Sequence, residues 1–168
     1  YRPHNINKVI DQDEVILTLD KSFQTNNLPH LLFYGPPGSG KTTTALAVSR
    51  QLFGEKYFNE RVLELNASDE RGIKIVREKI KVFAKNSIKI NIPKDYKYPC
   101  PDYKIIILDE ADAMTDDSQF ALRRIMEEFT AITRFFLICN YVTRIIEPLA
   151  SRCAKYRFKS LNINSMCI

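Results

Sequence analysis

Apolar and polar positions follow two rhythms along this chain. Five short runs are mostly apolar or strand-favouring: His30-Leu-Leu-Phe-Tyr34, Arg61-Val-Leu-Glu-Leu65, Lys104-Ile-Ile-Ile-Leu-Asp109, Arg134-Phe-Phe-Leu-Ile-Cys139 and Lys155-Tyr-Arg-Phe158. Such runs predict strands, and near-continuous apolarity in two of them predicts strands covered on both faces. Between the runs a helical period takes over. Val15, Ile16, Leu17, Leu19 and Phe23, following Asp13-Glu14, predict an amphipathic helix that ends near Asn26-Asn27. Further helices are predicted from Thr42 to Phe53, over 73–86 and over 116–128, with Ser68 or Asp69 as the expected cap of the helix at 73. From Ser87 to Asp102 neither period holds; Pro93, Pro99 and Pro101 among lysines and tyrosines predict a mobile loop. Strands alternating with helices predict a three-layer α/β domain around a mostly parallel five-stranded sheet.

Composition changes this picture little. The 168 residues are one domain's length, enough to bury a core without staples. No apolar run approaches the length of a membrane-spanning helix, so no membrane partner is expected. Cys100, Cys139, Cys153 and Cys167 stand far apart, which argues against a zinc site and for reduced thiols. A formal charge of +5 leans towards a polyanionic partner without proving one. Both ends read as cut, at Tyr1 inside a motif and shortly after the last strand, so a longer parent protein is expected.

The strongest chemical signal is Gly35-Pro36-Pro37-Gly38-Ser39-Gly40-Lys41-Thr42, followed by Thr43, which fits G-x-x-x-x-G-K-[ST] between a predicted strand and a predicted helix. Glycines there let successive N–H groups converge on an anion at a helix amino end. Lys41 would reach the β- and γ-phosphates of a nucleoside triphosphate, and the Thr42 hydroxyl would hold Mg2+. A Gly/Pro-rich turn with a solvated lysine is the plainer reading, and the strand–loop–helix context disfavours it. Ile105-Ile-Ile-Leu-Asp109-Glu110 has the form of a Walker B strand: Asp109 would accept water ligands of Mg2+ and Glu110 would orient or deprotonate the attacking water. Asp109-Glu110-Ala111-Asp112 also spells the motif of DEAD-box RNA helicases, whose P-loop and downstream Ser-Ala-Thr segment differ from this chain's. Asn140, ending the strand expected beside the one carrying Asp109, could bond the γ-phosphate or the water, or could make a local turn.

Two further signals are weaker. Arg152 lies in a polar turn with nothing to bring it to its own P-loop, so a surface arginine and an arginine donated to a neighbour's nucleotide both remain open. On the helix at 73–86, Lys74, Arg77, Lys81 and Lys85 fall within about 80° of one another. That edge is either a solvated face or a track for a phosphate backbone.

Taken in order, these segments resemble the small ATPase subunits of replication factor C, the clamp loader of the AAA+ superfamily. The likeness is carried by Tyr1-Arg2-Pro3, Leu31 to Gly38, Leu65-Asn-Ala-Ser-Asp-Glu-Arg-Gly72, Ile107-Leu-Asp-Glu-Ala-Asp112, Ala121-Leu-Arg-Arg124, Ile138-Cys-Asn140, Glu147-Pro148 and Ser151-Arg-Cys153. The resemblance implies an AAA+ fold and ATP with Mg2+ as cofactors. It implies sister subunits, a sliding clamp and primer–template DNA as partners, and a nuclear location. It makes Arg152 a finger acting in trans, Ile73, Lys74, Arg77 and Lys81 DNA contacts, and Tyr1, Arg2, Val9 and Ile10 the lining of the adenine pocket. Asn66 would sit where related ATPases hold the catalytic glutamate before ligand arrives. Asp11, where many relatives have Gly, is a departure. The family's lid and collar domains would follow residue 168. The competing readings are an ATP-binding structural subunit that only donates Arg152, and another AAA+ DNA motor such as one for branch migration.

Overall fold

The computed structural model describes residues 28–69, 72–85 and 92–159. Within them five strands, β1 (Leu31–Tyr34), β2 (Val62–Asn66), β3 (Lys104–Asp109), β4 (Thr133–Cys139) and β5 (Ala154–Arg157), alternate with helices α1 (Lys41–Arg61), α2 (Ile73–Lys85), α3 (Asp116–Phe129) and the short α4 (Glu147–Ala150). The strands form one sheet in the order β2-β3-β4-β1-β5, and every neighbouring pair is parallel. The predicted helix over residues 13–26 lies outside the described residues.

Alternation along the strands divides the core in two. Leu31, Phe33, Ile105, Ile107, Phe136 and Ile138 face one side, where Ala45, Val48, Leu52 and Phe53 of α1 cover them. Leu32, Ile106, Leu108, Phe135 and Leu137 face the other, against Val76 and Ile80 of α2 and Leu122, Ile125 and Met126 of α3. Burial on both faces is why β3 and β4 carry unbroken apolar runs. The expected three-layer arrangement is the one observed.

Three details differ from the sequence expectations. The helix after the P-loop does not stop at Phe53; it kinks at Gly54 (φ 72°, ψ 167°) and runs on to Arg61. The cap of α2 is neither Ser68 nor Asp69 by position, because the helix starts at Ile73 and the Ile75 and Val76 N–H groups donate to the Gly72 carbonyl. The Ser68 hydroxyl donates instead to Asn66 Oδ1.

The third difference is the segment expected to be a mobile loop. Its described part, 92–103, is a strap bound to the α1 kink. The Cys100 N–H donates to the Leu52 carbonyl (2.8 Å) and the Tyr96 hydroxyl to that of Phe53 (2.8 Å). Both acceptors lie immediately before the kink residue, Gly54. Tyr57 and Tyr96 meet edge-on at 5.1 Å, and buried Arg61 donates to the Pro101 carbonyl at 2.7 Å. A side chain at Gly54 would run into the Tyr96 hydroxyl and the Tyr98 ring. Proline and lysine content suggested a loop, and no local pattern announces a strap whose partners lie some 40 residues away.

Candidate nucleotide-binding site

All five strands point the same way, so the loops that follow β1, β3 and β4 open at one edge of the sheet, and β1 lies beside β4, and β4 beside β3. There they line a cleft of about 280 Å³ formed by Pro37, Gly38, Ser39, Gly40, Lys41, Thr42, Thr43, Asp109, Glu110, Ile138 and Asn140. Crevices at the carboxyl edge of parallel sheets are the usual ligand sites of such folds.

The P-loop wraps the amino end of α1. Gly35 takes φ 148°, and a Cβ there would strike the Phe158 carbonyl at the end of β5, so only glycine passes this point. Gly38 and Gly40 also take positive φ (76° and 86°). Lys41, only 7% exposed, donates to the Gly35 and Pro36 carbonyls (2.7 and 2.8 Å) and to Ser39 Oγ (3.3 Å). Burial lowers the pKa of this ammonium, and Cys139, Asp109 and Asp112 pull the other way. The same burial pushes the Cys139 thiol up to about 12, with Asp112 adding to the rise. A lysine held by its own loop's carbonyls is a cation already desolvated and aimed into the cleft, the state in which a charge-assisted contact to phosphate gains most.

Thr42 and Asp109 meet directly, hydroxyl to Oδ2 at 3.0 Å. Asp109 also accepts the Glu110 N–H through Oδ1 (2.8 Å), and Glu110 itself is held at φ 56°, in the left-handed region that few non-glycine residues enter. That turn leaves the Glu110 side chain exposed at the cleft. Asn140 stands one residue beyond β4, also exposed and lining the cleft. These residues fit ATP and Mg2+: a buried lysine and a glycine-rich helix amino end for phosphates, and a hydroxyl beside a carboxylate for a hard cation that keeps several waters. Among the described residues no group of three or more His, Cys, Asp or Glu could hold a metal ion, so the remaining ligands would come from phosphate and solvent.

Asp112 and Gln119 add supports that the motifs did not single out. Asp112 Oδ2 accepts the N–H groups of Asn140 (3.2 Å) and Tyr141 (3.0 Å), tying the end of β4 to the turn after β3. Gln119, buried on α3, donates to the Met114 and Arg144 carbonyls and accepts the Ile146 N–H. A polar residue on the apolar side of an otherwise amphipathic helix was the available signal for Gln119; Asp112 had none beyond its place in the acidic box.

The remaining site candidates lie elsewhere. Leu31 pairs with Ala154, which sets Arg152 at the amino edge of the sheet, about a strand's length of ~13 Å from the P-loop. Its guanidinium meets Glu127 of α3. On α2, Val76, Ile80 and Ala84 are buried, while Lys74, Arg77 and Lys85 are exposed and Ile73 and Lys81 are half-buried. Arg77 is paired with Glu128 of α3 at 3.5 Å. Asn66 ends β2 opposite Asp109, its Oδ1 taken by the Ser68 N–H and hydroxyl. Tyr1, Arg2, Val9 and Ile10 lie outside the described residues.

Comparisons with known proteins agree with this geometry. Residues 31–161 match the family described as ATPase family associated with various cellular activities (AAA). The chain is 60% identical over 162 residues to replication factor C subunit 2 of Oryza sativa subsp. japonica, covering 96% of this chain and 47% of that protein. It is 58% identical over 166 residues to replication factor C subunit 2 of Saccharomyces cerevisiae, covering 98% and 47%. The chain thus spans about half the length of the relatives it matches. Among solved structures, the RuvB Holliday junction branch migration motor of Thermotoga maritima superposes with a TM-score of 0.60 over 94% of this chain and 48% of that one. At 18% identity that likeness shows the fold alone. With the family match covering well over half of its residues, and replication factor C small subunits as close relatives, the chain belongs to the AAA family of ATPases.

Proposed function

We propose that this chain is the ATPase core of a clamp-loader subunit of the replication factor C type, acting in the nucleus with sister subunits. In this reading ATP binding closes a ring around a sliding clamp and primer–template DNA, and hydrolysis releases them. The observation that carries it is an asymmetry. A cleft lined by the P-loop, Asp109, Glu110 and Asn140 stands at the carboxyl edge of the sheet, while Arg152 is at the opposite edge, away from this chain's own P-loop, which favours its use on a second subunit's nucleotide. High identity to replication factor C small subunits along nearly the whole chain favours this over the branch-migration motor, whose likeness is one of fold.

The residues have distinct tasks. Lys41 binds the β- and γ-phosphates, Thr42 and Asp109 hold Mg2+, and the N–H groups from Gly38 to Thr43 line the anion's path. Bound Mg2+ would neutralise charge developing between the β- and γ-phosphates. Glu110, exposed and left-handed at the strand end, orients and deprotonates the attacking water, with Asn140 bonding the γ-phosphate or that water. Arg152 completes the site of the neighbouring subunit by stabilising its transition-state charge. Ile73, Lys74, Arg77 and Lys81 follow the DNA backbone; the Arg77–Glu128 pair is half exposed and therefore costs little to release. Tyr1, Arg2, Val9 and Ile10 would line the adenine pocket, and the lid and collar belong to other parts of the full-length protein.

The decisive experiment uses the full-length protein assembled with its partner subunits. Glu110→Gln should keep ATP binding and abolish hydrolysis at this subunit's site. Lys74→Glu with Arg77→Glu should weaken primer–template binding with little dependence on base sequence. It should also flatten the slope of log K against log salt by roughly 1.8 units. Unchanged pre-steady-state hydrolysis in the Glu110 variant would favour the structural-subunit reading.

A further inference from the structure

The last turn of α3 breaks a local rule. A helix carboxyl end carries partial negative charge and favours cations, yet α3 ends with Glu127-Glu128 and has no basic residue in its last turn. Arg123 pairs with Glu127 at 3.4 Å across one helical turn, but with the cation on the amino-terminal side, the weaker order for such a pair. Helix stability therefore gives no reason for an acid at 127. What the acid does is tertiary: the same oxygen, Oε1, that receives Arg123 Nη2 also receives Nη2 of Arg152, from the turn before β5. Rules broken locally without a local gain tend to mark functional positions.

Geometry specifies the kind of help. Arg152 meets Glu127 through its Nη2 and its side chain stays partly exposed, so the other donors of its planar fork are available to an incoming acceptor. The pair is about one-third exposed, so its contribution to folding is small. An unpinned arginine side chain carries rotamer freedom that it must lose on meeting a phosphate. The surroundings keep the pair undisturbed. His30 is held neutral, its pKa lowered to about 4 by burial first and by Arg134 and Arg152 next, with the Phe135 N–H donating to its Nδ1. Arg123, one turn earlier on α3, pairs with the same Glu127 oxygen.

We infer that Glu127 is a positioning residue for catalysis in trans: by accepting one hydrogen bond from Arg152 it holds the guanidinium outward, with its free donors presented to the triphosphate bound by an adjacent subunit. The inference rests on the reading of Arg152 as a trans-acting finger. Glu127 itself touches neither nucleotide nor reacting atoms.

The test is single-turnover ATP hydrolysis by the full-length subunit in its assembled complex. The site the finger enters is isolated by replacing with glutamine, at the other sites, the glutamate that corresponds to Glu110, which keeps ATP bound there while stopping its hydrolysis. Glu127→Ala should lower the hydrolysis rate there roughly tenfold, within the range that small misplacements produce, with the ATP concentration for half-saturation unchanged. Glu127→Asp keeps the charge but shortens the reach, and should lose rate similarly. Glu127→Gln keeps an acceptor oxygen at the same reach, and should stay within about threefold of the parent, because orientation depends on the hydrogen bond. In an Arg152→Ala background, Glu127→Ala and Glu127→Asp should have no further effect. Full activity of both Glu127→Ala and Glu127→Asp overturns the inference. So does a loss that persists in the Arg152→Ala background, or a Glu127→Gln variant as slow as Glu127→Ala. A parent-like rate for Arg152→Ala alone would instead remove the trans-finger reading underneath it.

Discussion

Two cations, Lys41 and Arg152, frame the molecule from opposite edges of the same sheet, and they are held in opposite ways. Lys41 is 7% exposed, and its three recorded hydrogen bonds all go to its own loop, within six residues of chain. Arg152 is exposed and gripped by Glu127, a carboxylate 25 residues away. The first is a finished binding group, desolvated before any ligand arrives. In the function proposed above, the second is half of a site, whose other half comes from a neighbouring subunit.

That contrast can be broken experimentally, most forcefully at the corner. Arg152→Ala in the assembled protein should slow hydrolysis at the adjacent subunit's site by about 10³-fold, while this subunit's own ATP affinity stays as it was. A comparable loss of its own affinity would mean that the two edges are not separate sites. Lys41→Ala is the converse. It should weaken ATP binding to this chain by about 2–3 kcal/mol in calorimetry, the order expected for a charge-assisted contact in a desolvated site.

The corner also carries a pH signature. Burial beside Arg134 and Arg152 lowers the His30 pKa to about 4. A group whose folded pKa is depressed loses its stabilising contribution as pH falls. Stability should therefore be full above the unfolded value of about 6.5 and decline on the way to 4, by about 2 kcal/mol at pH 5. Urea midpoints measured at pH 7 and pH 5, with and without a His30→Gln substitution, would show it: the substitution should flatten the difference. The smallest effect belongs to the strap, which serves neither edge. Tyr96→Phe removes the hydroxyl donated to the Phe53 carbonyl and should cost about 1 kcal/mol in thermal unfolding, with ATP binding unaltered.

The cleft was legible because its parts are local. A phosphate cradle needs glycines, a lysine and a hydroxyl within eight consecutive residues, and the strands that carry Asp109 and Asn140 announce themselves by apolar runs. The parallel neighbours β3 and β4 then bring those two ends together as the alternation of strands and helices predicts. Gln119 and Asp112 were not legible as supports, because what they hold is backbone from segments about 25 residues further on, and sequence spacing does not encode which carbonyl or N–H will be left unpaired. The bonds that tie down 92–103 were not legible for the same reason: composition reports the absence of a period, while these bonds run to the Leu52 and Phe53 carbonyls beside the kink at Gly54.

By itself the sequence determined the layer architecture and which loops line the cleft at the carboxyl edge of the sheet, because periodicity and short motifs are properties of adjacent residues. Tertiary structure alone decided that Arg152 stands at the far edge of the sheet, that Glu127 grips it, and that Glu128 pairs with the basic helix at Arg77. Strand order and helix packing fix those distances, and Coulomb and hydrogen-bond energies depend on distance in space rather than on separation along the chain.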